Sequence, residues 1–174
     1  DLIIGRNAVT ELIKSGREID TLYVVRGEKG GSVGKIIGEC REKGAVIKEV
    51  DRKKLDFMCG QANHQGVAAI CAAHDYSTVD EILAVAEERG EAPFIVVCDG
   101  IEDPHNLGAI IRTAEAAGVH GIIIPKRRSA SLNATVAKSA SGALEYMKVA
   151  RVTNIANTID ELKDEAKPIV ELRG

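Results

Sequence analysis

A six-residue apolar run, Pro93 to Cys98, constrains the fold more than any other feature of this 174-residue sequence. It reads Pro-Phe-Ile-Val-Val-Cys, without the alternation of polar and apolar residues that a half-buried strand shows. Such a run, followed by a helix, is typical of a parallel strand that is buried on both faces. The rhythm of strand and helix continues beyond it, so we predict a parallel-sheet α/β domain over residues 91–174.

The first 72 residues predict a smaller α/β unit, near the lower limit of size for independent folding. Strands are expected at 21–25, 45–50 and 67–72, and helices at 7–14, 32–43 and 52–58, with Asn7 and Asp51 as N-caps. Residues 73–90 are predicted to form a linker and a helix over 79–89. The larger domain is expected to continue with helices at 107–117, 134–139 and 155–165 and strands at 120–124, 147–152 and 168–172.

Composition excludes several classes of protein. Only five residues are aromatic, so the core must rest on aliphatic side chains, and base stacking on the protein is expected to be minor. No apolar run approaches the ~20 residues that span a bilayer. The four cysteines form no C-x-x-C pair, so we expect reduced thiols, no metal site and a cytoplasmic location. The first residue is Asp rather than Met, which predicts that the sequence begins inside a longer chain.

Charge is distributed unevenly along the chain. The overall net charge is −3, which argues against a protein that binds polyanions over its whole surface. Residues 1–72 carry 12 Lys and Arg against 10 Asp and Glu, whereas residues 73–174 carry 11 against 16. The basic first part permits local contact with nucleic acid without requiring it.

The segment from Asp99 to Arg112 follows the buried strand and enters a helix, which is where open α/β sheets bind ligands. Asn106 is expected at the helix entrance, and Arg112 interrupts an otherwise small and apolar helix. A buried charge there needs a partner, which a phosphate or carboxylate would provide. The alternative is purely structural: Asn106 as an N-cap, and Arg112 paired with Asp99 or Glu115.

Four stretches then carry a resemblance to a known family. Residues 106–118, Asn-Leu-Gly-Ala-Ile-Ile-Arg-Thr-Ala-Glu-Ala-Ala-Gly, resemble the first motif of the SpoU (TrmH/RlmB) branch of the SPOUT methyltransferases. Residues 4–9 and 64–69 resemble the opening and the close of that family's N-terminal RNA-binding domain. Residues 138–145, followed by 149–154, resemble the segment that leads to its fourth catalytic-domain strand. The four occur in the family's order, which makes the resemblance specific.

The resemblance implies a knot-type catalytic domain that transfers a methyl group from S-adenosylmethionine to a ribose 2′-hydroxyl of RNA. Ribosomal RNA of the large subunit (23S) is favoured over transfer RNA as the substrate, and a homodimer is expected. Arg112 and Asn106 match the motif residues and are the expected catalytic pair. Because a guanidinium stays protonated at ordinary pH, we assign Arg112 to holding the phosphate and stabilising alkoxide charge, with Asn106 orienting the ribose or Arg112. Expected RNA contacts are Arg6, Asn7, His64, Gln65, Glu115, Lys126, Arg127, Arg128, Ser139, Ser141 and Gly142.

The sequence departs from the family's pattern at its end. The family's second motif, a glycine- and glutamate-bearing loop, and its third, a serine–leucine–asparagine segment, do not occur. We therefore expect an incomplete catalytic domain, in which Thr153 and Asn154 are the only candidate cofactor contacts. An RNA-binding module without catalysis is the alternative, and an enzyme that clamps a small carboxylate with Arg112 is a third.

Overall fold

The computed structural model describes residues 2–163 and 169–174, which divide into two compact units, 1–72 and 73–174. Both units are α/β, and the larger one contains an all-parallel sheet, which confirms the predicted fold class. No helix in the described ranges is long and apolar enough to cross a membrane.

The first unit is a four-stranded mixed sheet with three helices. Its elements in chain order are β1 (Leu2–Ile4), α1 (Arg6–Lys14), β2 (Ile19–Val25), α2 (Gly31–Glu42), β3 (Val46–Val50), α3 (Arg52–Met58) and β4 (Val67–Cys71). The strand order is β1-β4-β2-β3, with β2 parallel to β3 and β4 antiparallel to both of its neighbours. Strands β1, β2 and β3 therefore end at one edge of the sheet, where β4 begins.

The ends of the helices in this unit follow local rules, with one correction. Asp51 caps α3 as predicted, because its side chain accepts a hydrogen bond from the Lys54 N–H. Asn7 was expected to cap α1, and this is wrong. The helix begins one residue earlier, after Gly5, whose φ of 96° only glycine adopts readily, and no side chain caps it.

The second unit is a four-stranded parallel sheet in the order β7-β6-β5-β8. Its elements are α4 (Val79–Arg89), β5 (Ile95–Asp99), α5 (Pro104–Ala116), β6 (Gly121–Pro125), α6 (Ala134–Ser139), β7 (Lys148–Val152), α7 (Ile155–Leu162) and β8 (Ile169–Arg173). A single 3₁₀ turn, Ala143–Glu145, lies between α6 and β7. The predicted ends of the last helix at Glu165 and of the last strand at Pro168 lie outside the described residues.

Strand β5 is the apolar run from which the fold was predicted, and it lies inside the sheet between β6 and β8. Ile95, Val97 and Cys98 are fully buried. Val97 packs with Ile82 of α4 and Cys98 with Leu107 of α5, in two separate clusters of the core. The strand therefore meets apolar side chains on both faces, as the absence of alternation predicts.

The segment before α4 was predicted to be a linker, but it is packed against the second unit. Ser77 forms a parallel bridge with Ala150 beside β7. The Tyr76 hydroxyl accepts a hydrogen bond of 2.9 Å from the Leu132 N–H, and the Arg151 guanidinium lies 4.1 Å from the centre of the Tyr76 ring. All four cysteines of the chain are buried and free.

Candidate functional site

Helix α5 carries Arg112 and begins with a strong local signal. Asp103 precedes it and accepts a hydrogen bond of 2.8 Å from the His105 N–H, and Pro104 occupies the first turn, where its missing N–H costs nothing. Asn106 therefore lies inside the first turn, and its interpretation as the N-cap is wrong. Arg112 lies six positions, about 1.7 turns, further along the helix.

Helices α5 and α6 approach each other closely because α5 has a glycine at the point of contact. A Cβ on Gly108 would lie 2.4 Å from the Ser139 Cβ and 2.9 Å from the Val136 carbonyl oxygen. The Ser139 hydroxyl donates a hydrogen bond of 3.0 Å to the carbonyl of His105. This contact brings the last turn of α6 beside the face of α5 that carries Arg112.

A cleft of about 610 Å³ lies beside this contact. It has the size of a pocket that holds a small molecule or a nucleotide. Among the described residues that line it, two are cationic and none is a carboxylate, although the unit as a whole carries a net charge of −5. The cleft is therefore suited to an anionic ligand. The lining residues are His105, Arg112, Ala134, Thr135, Lys138, Ser139 and Ser141.

Arg112 is exposed, so the expectation that it needs a partner to offset burial is corrected. Its Nη1 donates to the Ser139 carbonyl at 3.5 Å, which is long for a hydrogen bond. Within the described residues it forms no ion pair with Asp99 or Glu115, which were the partners of the purely structural interpretation. Most of its N–H groups are therefore available to a ligand in the cleft.

Asn106 and Glu115 do not line the cleft. At about 100° per residue, Asn106 lies roughly 120° around α5 from Arg112, whereas His105 lies almost directly above it. Both Asn106 and Glu115 are exposed. The role of Asn106 toward the ribose or Arg112 and that of Glu115 toward RNA stay predictions, and in the described part of the chain the guanidinium donates to the Ser139 carbonyl instead.

The three cations after β6 also lie outside the lining of the cleft. The Lys126 N–H donates a hydrogen bond of 3.0 Å to the Val152 carbonyl, which continues the β6–β7 ladder into the loop. Arg127 and Arg128 are exposed, and Arg128 has a φ of 55°. These residues lie at the carboxyl edge of the parallel sheet, where ligands of open α/β folds bind.

The end of α6 carries three of the expected RNA contacts, whose role toward RNA stays a prediction. Ser139 and Ser141 line the cleft, whereas Gly142 is exposed and stands outside the lining. Ser141 and Gly142 have φ values of 51° and 85°, so the chain leaves the helix through two left-handed residues. Gly142 thus has a structural reason to be glycine that is independent of a ligand.

Thr153 and Asn154 follow β7 at the carboxyl edge of the sheet, and both are exposed. The Asn154 side chain accepts a hydrogen bond of 2.9 Å from the Asn157 N–H and so caps α7. Its carboxamide oxygen already has a partner, which leaves the Thr153 hydroxyl as the freer candidate contact.

In the first unit, the predicted RNA contacts Arg6 and Gln65 lie together. The Arg6 Nε donates to the Gln65 carbonyl at 2.9 Å, and the Arg6 N–H donates to Gln65 Oε1 at 3.0 Å. Asn7 is exposed beside them. His64, as an expected RNA contact, would have to lie at the surface, but only 3% of its surface is accessible. Its two ring nitrogens bond Asp56 Oδ1 at 2.7 Å and the Gly66 N–H at 2.9 Å.

Sequence reasoning named neither His105, Thr135 nor Lys138 as a site residue. His105 stands seven positions before Arg112, and this two-turn spacing on one helix was the signal that could have found it. Thr135 and Lys138 join the cleft only through the packing of α6 on α5, for which the sequence carries no local sign.

Two family models match this chain. Residues 2–77 match RNA 2′-O ribose methyltransferase substrate binding, and residues 93–173 match the SpoU rRNA methylase family. The second match includes every residue that lines the cleft, from His105 to Ser141.

Relatives and solved structures agree with these matches. YacO of Bacillus subtilis (strain 168), named as a member of the TrmH family of tRNA/rRNA methyltransferases, is 47% identical over 164 residues. A protein of Staphylococcus aureus (strain MSSA476) with the same family name is 45% identical over 163 residues. Each alignment covers 94% of this chain, which spans 66% of YacO and 65% of the second relative.

This chain also aligns with a crystal structure of an AdoMet-bound rRNA methyltransferase from Sinorhizobium meliloti. The alignment covers 98% of this chain and 69% of that protein's chain. The two are 23% identical, with a TM-score of 0.45. At this TM-score the structural match adds nothing to the sequence matches.

Proposed function

This chain belongs to the SpoU rRNA methylase family, and from that premise we propose that its cleft holds an RNA nucleotide whose ribose 2′-hydroxyl is methylated. The methyl donor is S-adenosylmethionine, and the substrate is 23S ribosomal RNA. The observation that carries the proposal is the cleft between α5 and α6, which contains Arg112 and Lys138 and no carboxylate.

Arg112 acts in this proposal as a charged clamp. A guanidinium stays protonated at ordinary pH, so it takes no proton from the ribose. Its planar set of N–H donors matches a phosphate, and its charge stabilises the oxygen that becomes negative as the 2′-hydroxyl loses its proton. The nearby Lys138 adds a second cation for the same nucleotide. Methyl transfer depends above all on the position of the reacting groups, and contacts from both cations position the nucleotide in the cleft.

The described residues supply little of a cofactor pocket. Only Thr153 and Asn154 are candidates from the sequence, and the carboxamide oxygen of Asn154 is engaged in capping α7. One free hydroxyl does not fit a nucleoside cofactor by itself. The cofactor would supply an electrophilic methyl group when bound, and the roles derived for this chain concern RNA alone.

The first experiment is a calorimetric titration of the chain with S-adenosylmethionine. Binding near the micromolar range, roughly −8 kcal/mol, would show a competent cofactor pocket. Absence of binding would support the alternative in which these 174 residues recognise RNA without catalysis. The third of YacO that this chain does not match can then be fused to the chain. Binding of S-adenosylmethionine by the fusion would show that the chain alone has an incomplete cofactor pocket, whereas no binding would show that the activity itself is missing.

The second experiment measures methyl transfer from labelled S-adenosylmethionine to unmodified 23S ribosomal RNA, with transfer RNA as the comparison. A 2′-O-methyl group blocks alkaline cleavage of the adjacent phosphodiester, so label in an alkali-resistant dinucleotide identifies the ribose as the acceptor. We expect Arg112→Ala to abolish methyl transfer in whichever form, the chain or the fusion, is active. Because the side chain is exposed, stability should change by no more than about 0.5 kcal/mol. Normal turnover by the folded variant would refute the role of Arg112.

A further inference from the structure

Phe57 has an exceptional position for an aromatic side chain. It lies in α3 with 83% of its surface exposed, the largest value among the big hydrophobic residues of the described chain. The helix itself is firmly held, because Leu55 is fully buried and Cys59, just beyond the helix, is buried in the same cluster. On the same helix, Asp56 bonds buried His64. The fold therefore holds Phe57 in the solvent.

Two lysines share the surface of Phe57. Lys53 and Lys54 precede it by four and three positions, which places all three side chains on one face of α3. Both lysines are exposed, and neither forms an ion pair within the part of the chain that the structure describes. We refer to Lys53, Lys54 and Phe57 as the α3 surface.

The α3 surface adjoins the sheet edge at which the positive charge of the first unit is concentrated. The segments at this edge are 5–7, 26–32, 51–56 and 60–66. They carry six Lys and Arg against three Asp and Glu, a net charge of +3. The other residues of the unit carry six against seven, a net charge of −1. The whole net positive charge of the unit therefore lies along this edge.

Two arginines of the edge are held in place by a single carboxylate. Glu28 Oε2 lies 3.2 Å from Arg6 Nη2, and Glu28 Oε1 lies 2.8 Å from Arg52 Nη2. Gly66, with φ of 88°, leaves the space for Glu28, because a Cβ there would lie 2.7 Å from the carboxylate. Both guanidinium groups are thus oriented before a ligand arrives, which reduces the entropy lost on binding.

We propose that the α3 surface binds unpaired RNA, with the Phe57 ring stacked on a base and Lys53 and Lys54 on the flanking phosphates. An exposed ring beside free cations is the combination that single-stranded RNA requires, since bases stack on aromatic faces and phosphates pair with Lys and Arg. An apolar protein partner fits less well, because lysine is depleted at the centre of protein interfaces. The proposal departs at this one site from the expectation that base stacking on the protein is minor. The inference rests on the proposed function and specifies where its RNA is held.

The test uses the full chain and two labelled RNAs, a hairpin with an unpaired adenosine loop and the same stem as a continuous duplex. Phe57→Ala should weaken binding of the hairpin loop roughly 5- to 100-fold, the range that corresponds to one stacked base, and leave the duplex unchanged. Phe57→Leu should weaken binding of the hairpin loop by a similar factor. Leucine retains an apolar side chain but has no aromatic face on which a base can stack. The salt dependence should stay the same in both variants.

The lysines are tested by a different signature. Lys53→Gln combined with Lys54→Gln should lower the slope of log affinity against log salt by about 1.4, since each phosphate contact on a single strand contributes about 0.7. Lys35→Gln on α2 is the control, an exposed lysine on a different helix that pairs with Glu39 at 3.8 Å. Tyr146→Ala is the control for Phe57, because that ring is 78% exposed in the other unit.

A direct readout of stacking is available because the chain contains no tryptophan. Phe57→Trp should retain affinity and report RNA binding as quenching of its single tryptophan, which is excited selectively over the three tyrosines. Binding of the hairpin by Phe57→Ala as tight as by the unmodified chain would overturn the inference and leave the proposed function standing. Failure of the unmodified chain to bind either RNA would overturn both the inference and the proposed function. A change of oligomeric state in Phe57→Ala, with RNA binding intact, would assign the ring to a protein contact instead.

Discussion

A methyl group added to Gly108 would collide with helix α6, and this makes Gly108→Ala a quantitative test of how the cleft is built. The new Cβ would lie 2.4 Å from the Ser139 Cβ, 2.7 Å from its Oγ and 2.9 Å from the carbonyl oxygen of Val136. The last of these atoms belongs to the backbone of α6, so relief requires that the two helices move apart. Overpacking of this kind costs about 1–3 kcal/mol, and we take the upper end.

The intrinsic preference of the helix acts in the opposite direction. Alanine is about 1 kcal/mol more favourable than glycine inside a helix. The net expectation for Gly108→Ala is therefore a loss of about 2 kcal/mol in the free energy of unfolding. Gly38→Ala is the matched control, because Gly38 lies inside α2 and a Cβ there meets nothing within 4 Å. It should stabilise the first unit by up to about 1 kcal/mol.

The assay is urea denaturation followed by far-ultraviolet circular dichroism, with amide hydrogen exchange to locate each loss. Exchange is needed because two units need not unfold in one transition. In Gly108→Ala, faster exchange should appear in α5 and α6, and RNA binding through Arg112 should weaken as α6 moves away. If Gly108→Ala gains stability as Gly38→Ala does, the close contact between the helices is wrong, and so is the geometry of the cleft.

Two further predictions concern buried groups. His64→Ala should destabilise the first unit by about 1–3 kcal/mol, because it leaves the Gly66 N–H without its acceptor. Exposed His105→Ala should change stability little, and equal losses in the two variants would contradict the structural role of His64. Burial raises the pKa of the Cys98 thiol to about 12 and that of Cys40 to about 11, so neither should react with a thiol reagent at pH 8 until the chain unfolds. Since both pKa values are raised in the folded state, the stability they contribute is complete below pH 9 and is lost as the pH rises toward 11–12. Immediate labelling of Cys40 or Cys98 in the folded chain, located by peptide mass spectrometry, would contradict the burial of these thiols.

Local patterns predicted most of the secondary structure. The helices Val79–Arg89 and Ala134–Ser139 have the predicted ends, and Asp51 caps α3 as predicted. These signals succeed because a helix end is decided by a few neighbouring residues: a side chain that accepts a hydrogen bond, or a glycine that leaves the helix. Asn7 and Asn106 show the limit of the same reasoning, since another residue nearby started each helix earlier.

Burial could not be predicted in the same way. His64 and Arg112 were assigned to the wrong environments, because burial depends on which distant element covers a residue. His64 is covered through Asp56 of α3, and Arg112 remains open because α6 contacts the glycine one turn before it. Neither arrangement leaves a trace in the residues adjacent to the side chain.

The sequence by itself determined the two α/β units, the buried central strand, several of the helix ends and the resemblance to the SpoU family. All of these depend on periodicity, on short-range hydrogen bonds or on ordered motifs, which are properties of neighbouring residues. Only the tertiary structure decided that Arg112 shares a cleft with Lys138 and that the Phe57 ring stays exposed beside the positive edge of the first unit. Such arrangements arise from the packing of elements that are distant in the chain, where a single close contact, such as that of Gly108 with Ser139, decides which side chains meet.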